Sequence, residues 1–212
     1  RSRPGHELVL RLARALDVPL RERNALLAAA GLAPTYSAHT LDDAEMRPIS
    51  LVIDRVLKGH APYPAWVFAR GLRPIASNAA AERMFPGLTT MAPEAIVDLW
   101  FGDGPFRAMV ENWHEVVTAG VDALRRESMQ ALDSNIVSLL ERAERHLAAL
   151  GESPASRSTF PVVCPRFRVG DHTIRTVSAV LRFDTAIDVT ASELRIELMF
   201  PADDESDAFF RR

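Results

Sequence analysis

The sequence predicts an α+β fold: a short helical head, then a five-stranded antiparallel sheet covered by helices on one face. Three observations predict it. Apolar residues among the first 34 positions recur at helical spacing. Residues 65–77 read as two short strands joined by a tight turn. Residues 166–200 hold three more strand-like segments, the clearest with apolar and polar residues alternating, the period of a strand whose two faces differ.

In the head, Arg1-Ser2-Arg3-Pro4 is a basic turn ending in Pro, which suits the first turn of a helix because its missing N–H would be unpaired there. Leu8, Val9, Leu12, Ala15 and Leu16 mark the helix that follows. Pro19 ends it, and a second runs from about Leu20 to Ala30 with Gly31 at its C-terminal cap. Arg11, Arg14, Arg21 and Arg23 are expected on solvated faces. Residues 35–60 form a linker: Thr40-Leu41-Asp42-Asp43 supplies a helix start, and Ile49, Val52, Ile53, Val56 and Leu57 make one stripe ending at Gly59. Ala61-Pro62-Tyr63-Pro64 cannot continue it, so the head is 1–34 and the body 61–212.

The body opens with strands at Ala65–Ala69 and Leu72–Ser77, turning at Arg70-Gly71. Pro74 demands an edge or a bulge. Ser77 or Asn78 caps a helix to Phe85. Helices are predicted over Pro93–Phe101, over Phe106–Leu132 as one long element, and from Asp133 or Ser134 to Leu150. After a loop at 151–156, Arg166–Val169 and His172–Phe183 form a hairpin. Thr185–Ser192 reads as a loop, and Leu194–Phe200 as the last strand.

These segments carry a resemblance. Leu12 to Val18 (L-A-R-A-L-D-V) after the Ser2-Arg3-Pro4 turn resembles the end of the helix-turn-helix domain of the XRE family, the Cro/repressor-like regulators. Arg21 to Pro34 (R-E-R-N-A-L-L-A-A-A-G-L-A-P) is similar to regulators with an MmyB-like ligand-binding domain. Pro64-Ala65-Trp66-Val67 with Ala76-Ser77-Asn78-Ala79-Ala80, Phe106 to Val116, and Phe183 to Asp203 extend that likeness over nearly the whole chain. The strand–turn–strand–helix opening resembles a PAS fold, so the resemblance implies a PAS-like sheet. It also implies a DNA-binding homodimer. The chain is expected to start just after the recognition helix, with the first three helices of the DNA-binding domain missing, and therefore to bind DNA poorly by itself. Arg1, Ser2 and Arg3 are the expected DNA contacts, gripping phosphate without reading sequence.

Charge agrees with that division. Residues 1–30 carry six Arg against Glu7, Asp17 and Glu22, a balance of +3 within a chain of net charge −3. A basic head on an acidic body suits a phosphate-contacting module joined to a domain that avoids nucleic acid. No apolar run is long enough to span a membrane and no signal region is present, so no membrane partner is expected. One cysteine, Cys164, cannot form an internal disulfide, which favours the cytoplasm, and it reads as a small apolar residue near a strand.

Catalytic chemistry is not expected. The six histidines show no zinc-ligand spacing, and nucleophile-elbow, zincin and P-loop motifs are absent, so neither metal nor catalytic residue is assigned. Asp203, Asp204, Glu205 and Asp207 read as a solvated acidic tail. Glu111 and Glu115 beside His114 read as surface charges on a helix.

The candidate site is a pocket. Trp66, Phe68, Met84, Phe85, Trp100, Phe101, Phe106, Met109, Trp113 and Val117 are bulky apolar residues from two strands and their covering helices, where a cleft between layers suits a small apolar ligand such as a fatty acid. Arg107 or His114 is placed to meet a carboxylate at its mouth. No other cofactor is implied. Two functions follow: a regulator sensing that ligand through its dimer, or a ligand-free dimerisation and partner-binding module that only sets half-site spacing.

Overall fold

The computed structural model describes residues 4–130, 133–151 and 162–212. The head holds α1 (His6–Ala15) and α2 (Leu20–Ala29), closed on Leu10, Ala13 and Leu27. Arg11 is exposed as expected. Arg21 and Arg23 are not simply solvated: Arg21 makes a two-pronged contact with Glu193 at 2.6 and 2.8 Å, and Arg23 donates to the Val18 carbonyl. The expected DNA contacts Arg1, Ser2 and Arg3 lie outside the described residues.

Helix α3 (Arg47–Gly59) starts later than the Thr40–Asp43 run suggests. The Asp43 carboxylate accepts the Thr40 N–H, which closes a turn instead, and a 3-10 turn at Ala44–Met46 precedes the helix.

Strands β1 (Ala65–Ala69) and β2 (Arg73–Ser77) come next, and β3 (Arg166–Val169), β4 (His172–Arg182) and β5 (Arg195–Pro201) complete one sheet in the order β2-β1-β5-β4-β3, antiparallel throughout. This is the PAS-like sheet. Pro74 sits on the edge strand opposite Phe68, where the register shifts by a bulge, so its missing N–H interrupts no ladder. All five residues of β1 are buried. Trp66 and Phe68 point to one layer, while Ala65, Val67 and Ala69 pack with Ile53 and Leu57 of α3. The sheet is therefore covered on both faces, not one, because its central strands are apolar on both.

The larger layer begins with α4 (Ala79–Met84). Asn78 caps it, accepting from Ala81 N–H at 2.9 Å and from Ala65 N–H at 3.1 Å while donating to the Tyr63 carbonyl at 2.8 Å. One side chain thus joins β1, the proline turn and the helix. After α5 (Pro93–Phe101), the helix expected from 106 to 132 is two: α6 (Pro105–Met109) and α7 (Trp113–Gln130). The intervening backbone is spent on the sheet. Val110 bridges to Phe167, Glu111 N–H donates to Arg166 O at 2.9 Å, and Asn112 accepts the Arg166 N–H at 2.9 Å. Glu111 is accordingly off the helix and accepts from Thr173 Oγ1, whereas Glu115 accepts from Asn112. Helix α8 (Ser134–Ala149) is capped by Asp133 and packs on α5 and α7.

Two segments read as irregular are helical. The 185–192 stretch contains α9 (Val189–Glu193), capped by Asp188, and the acidic cluster opens α10 (Asp204–Phe210), where Asp203 accepts the Ser206 N–H at 2.8 Å. Negative charge at a helix start is favourable, so these carboxylates are a helix terminus and not a loose tail. Cys164 is half-buried just before β3. Among the described residues no helix is long and apolar enough to cross a membrane.

The α5–α8 seam carries a pH-sensitive contact. Asp98 accepts from Arg142 at 2.6 and 2.7 Å and pairs with His146 at 2.7 Å. The Arg142 hydrogen bonds, more than the His146 contact, hold the Asp98 carboxyl down to about 2. A carboxyl lowered in the folded state adds stability fully present above its unfolded value of about 3.9 and lost as pH falls through the folded one. Both partners are more than a third exposed, so solvent screening keeps the contribution below about 1 kcal/mol. Asp98→Asn is expected to remove that small increment at pH 7 and to show only a minor part of it at pH 2. Urea unfolding at the two pH values checks this, and an equal loss at both would mean that packing, not charge, is at stake.

Candidate functional site

Between the sheet and the larger helical layer lies a cavity of about 290 Å³, near the lower end of small-molecule pockets. Its floor is the sheet: Trp66 and Phe68 from β1, Glu197 and Met199 from β5, Ser178 from β4. Strand alternation puts these side chains on one face, opposite the α3 layer. The walls come from the helical layer. Phe85 and Leu88 follow α4, Trp100 and Phe101 end α5, Phe106 lies on α6, and Val116, Val117, Ala119 and Gly120 belong to α7. Phe167 on β3, with Val163 and Pro165 before it, closes the remaining side.

The walls hold their shape through ring contacts. Phe85 meets Trp66 and Phe106, each at 5.9 Å between centroids, and Trp100 stands 6.4 Å from both Phe68 and Phe106, tilted or edge-on. Helix α7 comes close because residue 120 is glycine: a Cβ there would lie 3.0 Å from the Phe101 ring.

Polar groups at the cavity are few. Ser178 borders it, and so does Glu197, which is half-buried. Burial pushes the Glu197 carboxyl above its usual range, and the nearby Arg195 charge opposes this only in part. Arg195 itself is engaged elsewhere, over the Phe68 ring at 5.3 Å and toward Glu127 at 3.7 Å. The indole nitrogens of Trp66 and Trp100 are buried without hydrogen-bond partners.

Of the residues expected to line a pocket, Trp66, Phe68, Phe85, Trp100, Phe101, Phe106 and Val117 are gathered around the cavity. Met84 and Met109 pack against the same core but do not border it. Trp113 lies behind the wall, buried, its Nε1 donating to the Trp100 carbonyl at 3.0 Å. Arg107 lies over the Trp113 ring at 4.8 Å, and His114 touches that ring edge-on at 5.2 Å. Neither borders the cavity. Glu197, Ser178, Phe167 and Met199 escaped the sequence reading. In Arg195-Ile196-Glu197-Leu198 the charged residues alternate with apolar ones, which suggests a solvent face, and nothing local shows that both faces of β5 are covered.

Residues 49–212 match the MmyB-like transcription regulator ligand binding domain. The chain belongs to this family. No curated protein matches it. The matched region begins within α3, the helix that packs on the second face of the sheet, and it contains every residue that borders the cavity. In this ligand-binding domain the cavity is accordingly the candidate ligand site.

Proposed function

We propose that the chain is the sensing part of an XRE-type, helix-turn-helix transcription regulator. In this reading its MmyB-like domain holds a small, mostly apolar molecule, and occupancy changes how a homodimer meets DNA in the cytoplasm. One observation carries it: an aromatic-walled cavity lies between sheet and helices in a member of a ligand-binding family. Arg1, Ser2 and Arg3 keep their assignment as phosphate contacts. Residues 1–34 serve as the end of the DNA-binding head, with α3 counted with the sensor it packs on.

A medium-chain alkyl tail, as in a fatty acid or a neutral amphiphile, suits these walls. Ligand at about 100 times its Kd adds about 2.7 kcal/mol, which raises the Tm of a domain this size by roughly 5–10 °C. Ala119→Phe, placed on the cavity wall, is expected to fill the space and abolish that shift while the protein stays folded. A chain whose Tm ignores a panel of fatty acids and neutral amphiphiles would sink the sensor reading.

A second reading, a ligand-free dimerisation module, draws on a different surface. Helices α7 and α8 spend their apolar faces on the core, through Val117, Val121, Leu124, Ile136, Leu139 and Ala143. Leu8, Leu12 and Leu16 instead form an exposed stripe along α1. Sedimentation of the wild type and of Leu12→Glu decides whether that stripe joins two copies.

A further inference from the structure

Glu197 is the residue that an apolar sensor cavity does not need. Its neighbours across the sheet, Trp66 on β1 and Val180 on β4, are apolar, and no hydrogen bond or ion pair within the described residues engages its carboxyl. Buried polar groups with a structural role carry partners, and an enclosed carboxyl without one is costly. Arg195, two residues away on the same strand, lies over the Phe68 ring and 3.7 Å from Glu127, with its Nε unpartnered and no ion pair to Glu197. No partner for it is therefore supplied by the described residues.

Building on the cavity as ligand site, we infer that it takes an apolar molecule whose polar end donates a hydrogen bond, an amine or a hydroxyl, to Glu197. Carboxylates are disfavoured for a reason independent of tail length. Among the described residues none that borders the cavity is Lys, Arg or His. A carboxylate beside an ionised Glu197 would set two like charges between aromatic walls, and neutralising that pair requires the uptake of two protons. An ammonium forms a neutral ion pair with Glu197. A hydroxyl donates a hydrogen bond to the carboxylate and keeps lone pairs that the Ser178 hydroxyl on the floor can meet. The indole N–H groups of Trp66 and Trp100 lack partners in these same walls, which favours a ligand that brings an oxygen.

The test compares head groups on one tail. Decanol, decylamine and decanoate are titrated into the full chain at neutral pH, with affinity read by calorimetry and stoichiometry by native mass spectrometry. The alcohol and the amine are expected to bind at least about tenfold more tightly than the acid, the scale of one charge-assisted or fully desolvated hydrogen bond. Glu197→Gln is expected to remove the advantage of the amine while keeping most of that of the alcohol, because an amide still accepts a hydrogen bond but carries no charge. Glu197→Leu is expected to bring all three within about threefold of one another. Decanoate binding the wild type as tightly as the other two would overturn this inference and leave the cavity standing as a ligand site. If none of the three bound, the cavity reading itself would fall, and the assignment of Glu197 with it.

Discussion

Trp113→Ala is expected to destabilise the domain by about 3–5 kcal/mol, the cost of removing a large aromatic side chain from a packed core. For a chain of this length that lowers Tm by roughly 6–20 °C. The ring is 3% exposed, belongs to the same core cluster as Val110 and Val117, and carries Arg107 on its face at 4.8 Å. Its Nε1 also holds the Trp100 carbonyl, so the substitution leaves that oxygen without its donor. Trp113→Phe separates the two contributions: it keeps most of the packing and loses the hydrogen bond, for about 1 kcal/mol. Ligand affinity should fall only as far as the Trp100 wall loosens. A Trp113→Ala protein that melts near the wild type yet no longer binds ligand would place the ring in the cavity lining after all.

That residue marks the limit of what local pattern reveals. The strands were legible because β-branched and aromatic runs met turn residues at Arg70-Gly71 and Gly170-Asp171. Pro74 announced an edge or bulge, and Asn78 a cap, because each has a single local reason to be where it is. The break at 110–112 was not legible. Val110, Trp113 and Val117 keep a helical period straight through it, and the hydrogen bonds that stop the helix come from Cys164 and Arg166, over fifty residues away. Aromatic lining residues were recognisable as apolar and bulky, yet a wall and a core filler differ only by the space beside them. Glu197 was hidden by its own alternation with Ile196 and Leu198, since a charge on a strand signals solvent unless a second layer covers that face. Arg21 looked like a helix-surface charge because its partner, Glu193, lies far along the chain, and Glu22, counted only in the charge balance, is buried against the equally distant Arg70.

Those partners set the other large expected effect. Arg70→Ala is expected to cost about 3–5 kcal/mol, because it strands buried carboxylates. Arg70 ends the strand that carries Trp66 and Phe68, and its guanidinium contacts Glu22 of α2 at 2.6 Å, Glu193 of α9 at 3.1 Å and Asp133 at 3.4 Å. Burial works against its charge, and Glu22 and Glu193 more than offset it, so its pKa is raised. The Glu22 side chain is only 5% exposed, and its second oxygen already lacks a partner. Arg21 continues to hold Glu193 in the variant, which leaves Glu22 as the principal orphan. Arg70→Met with Glu22→Leu should then recover most of the lost stability, since an apolar pair can replace a buried ion pair at little cost. It should not recover communication. The Glu127 carboxylate accepts the Gly71 N–H at 2.9 Å and meets Arg195, which lies over the Phe68 ring bordering the cavity, so a shift of Phe68 on ligand binding would reach the 70–71 turn by direct contact. From that turn the ion contacts pass to α2. Hydrogen exchange of the α2 amides is expected to slow when decanol binds the wild type and to stay unchanged in the stable double variant. Equal slowing in both would show that the head senses the cavity by another route, and that the Arg70 cluster serves stability alone.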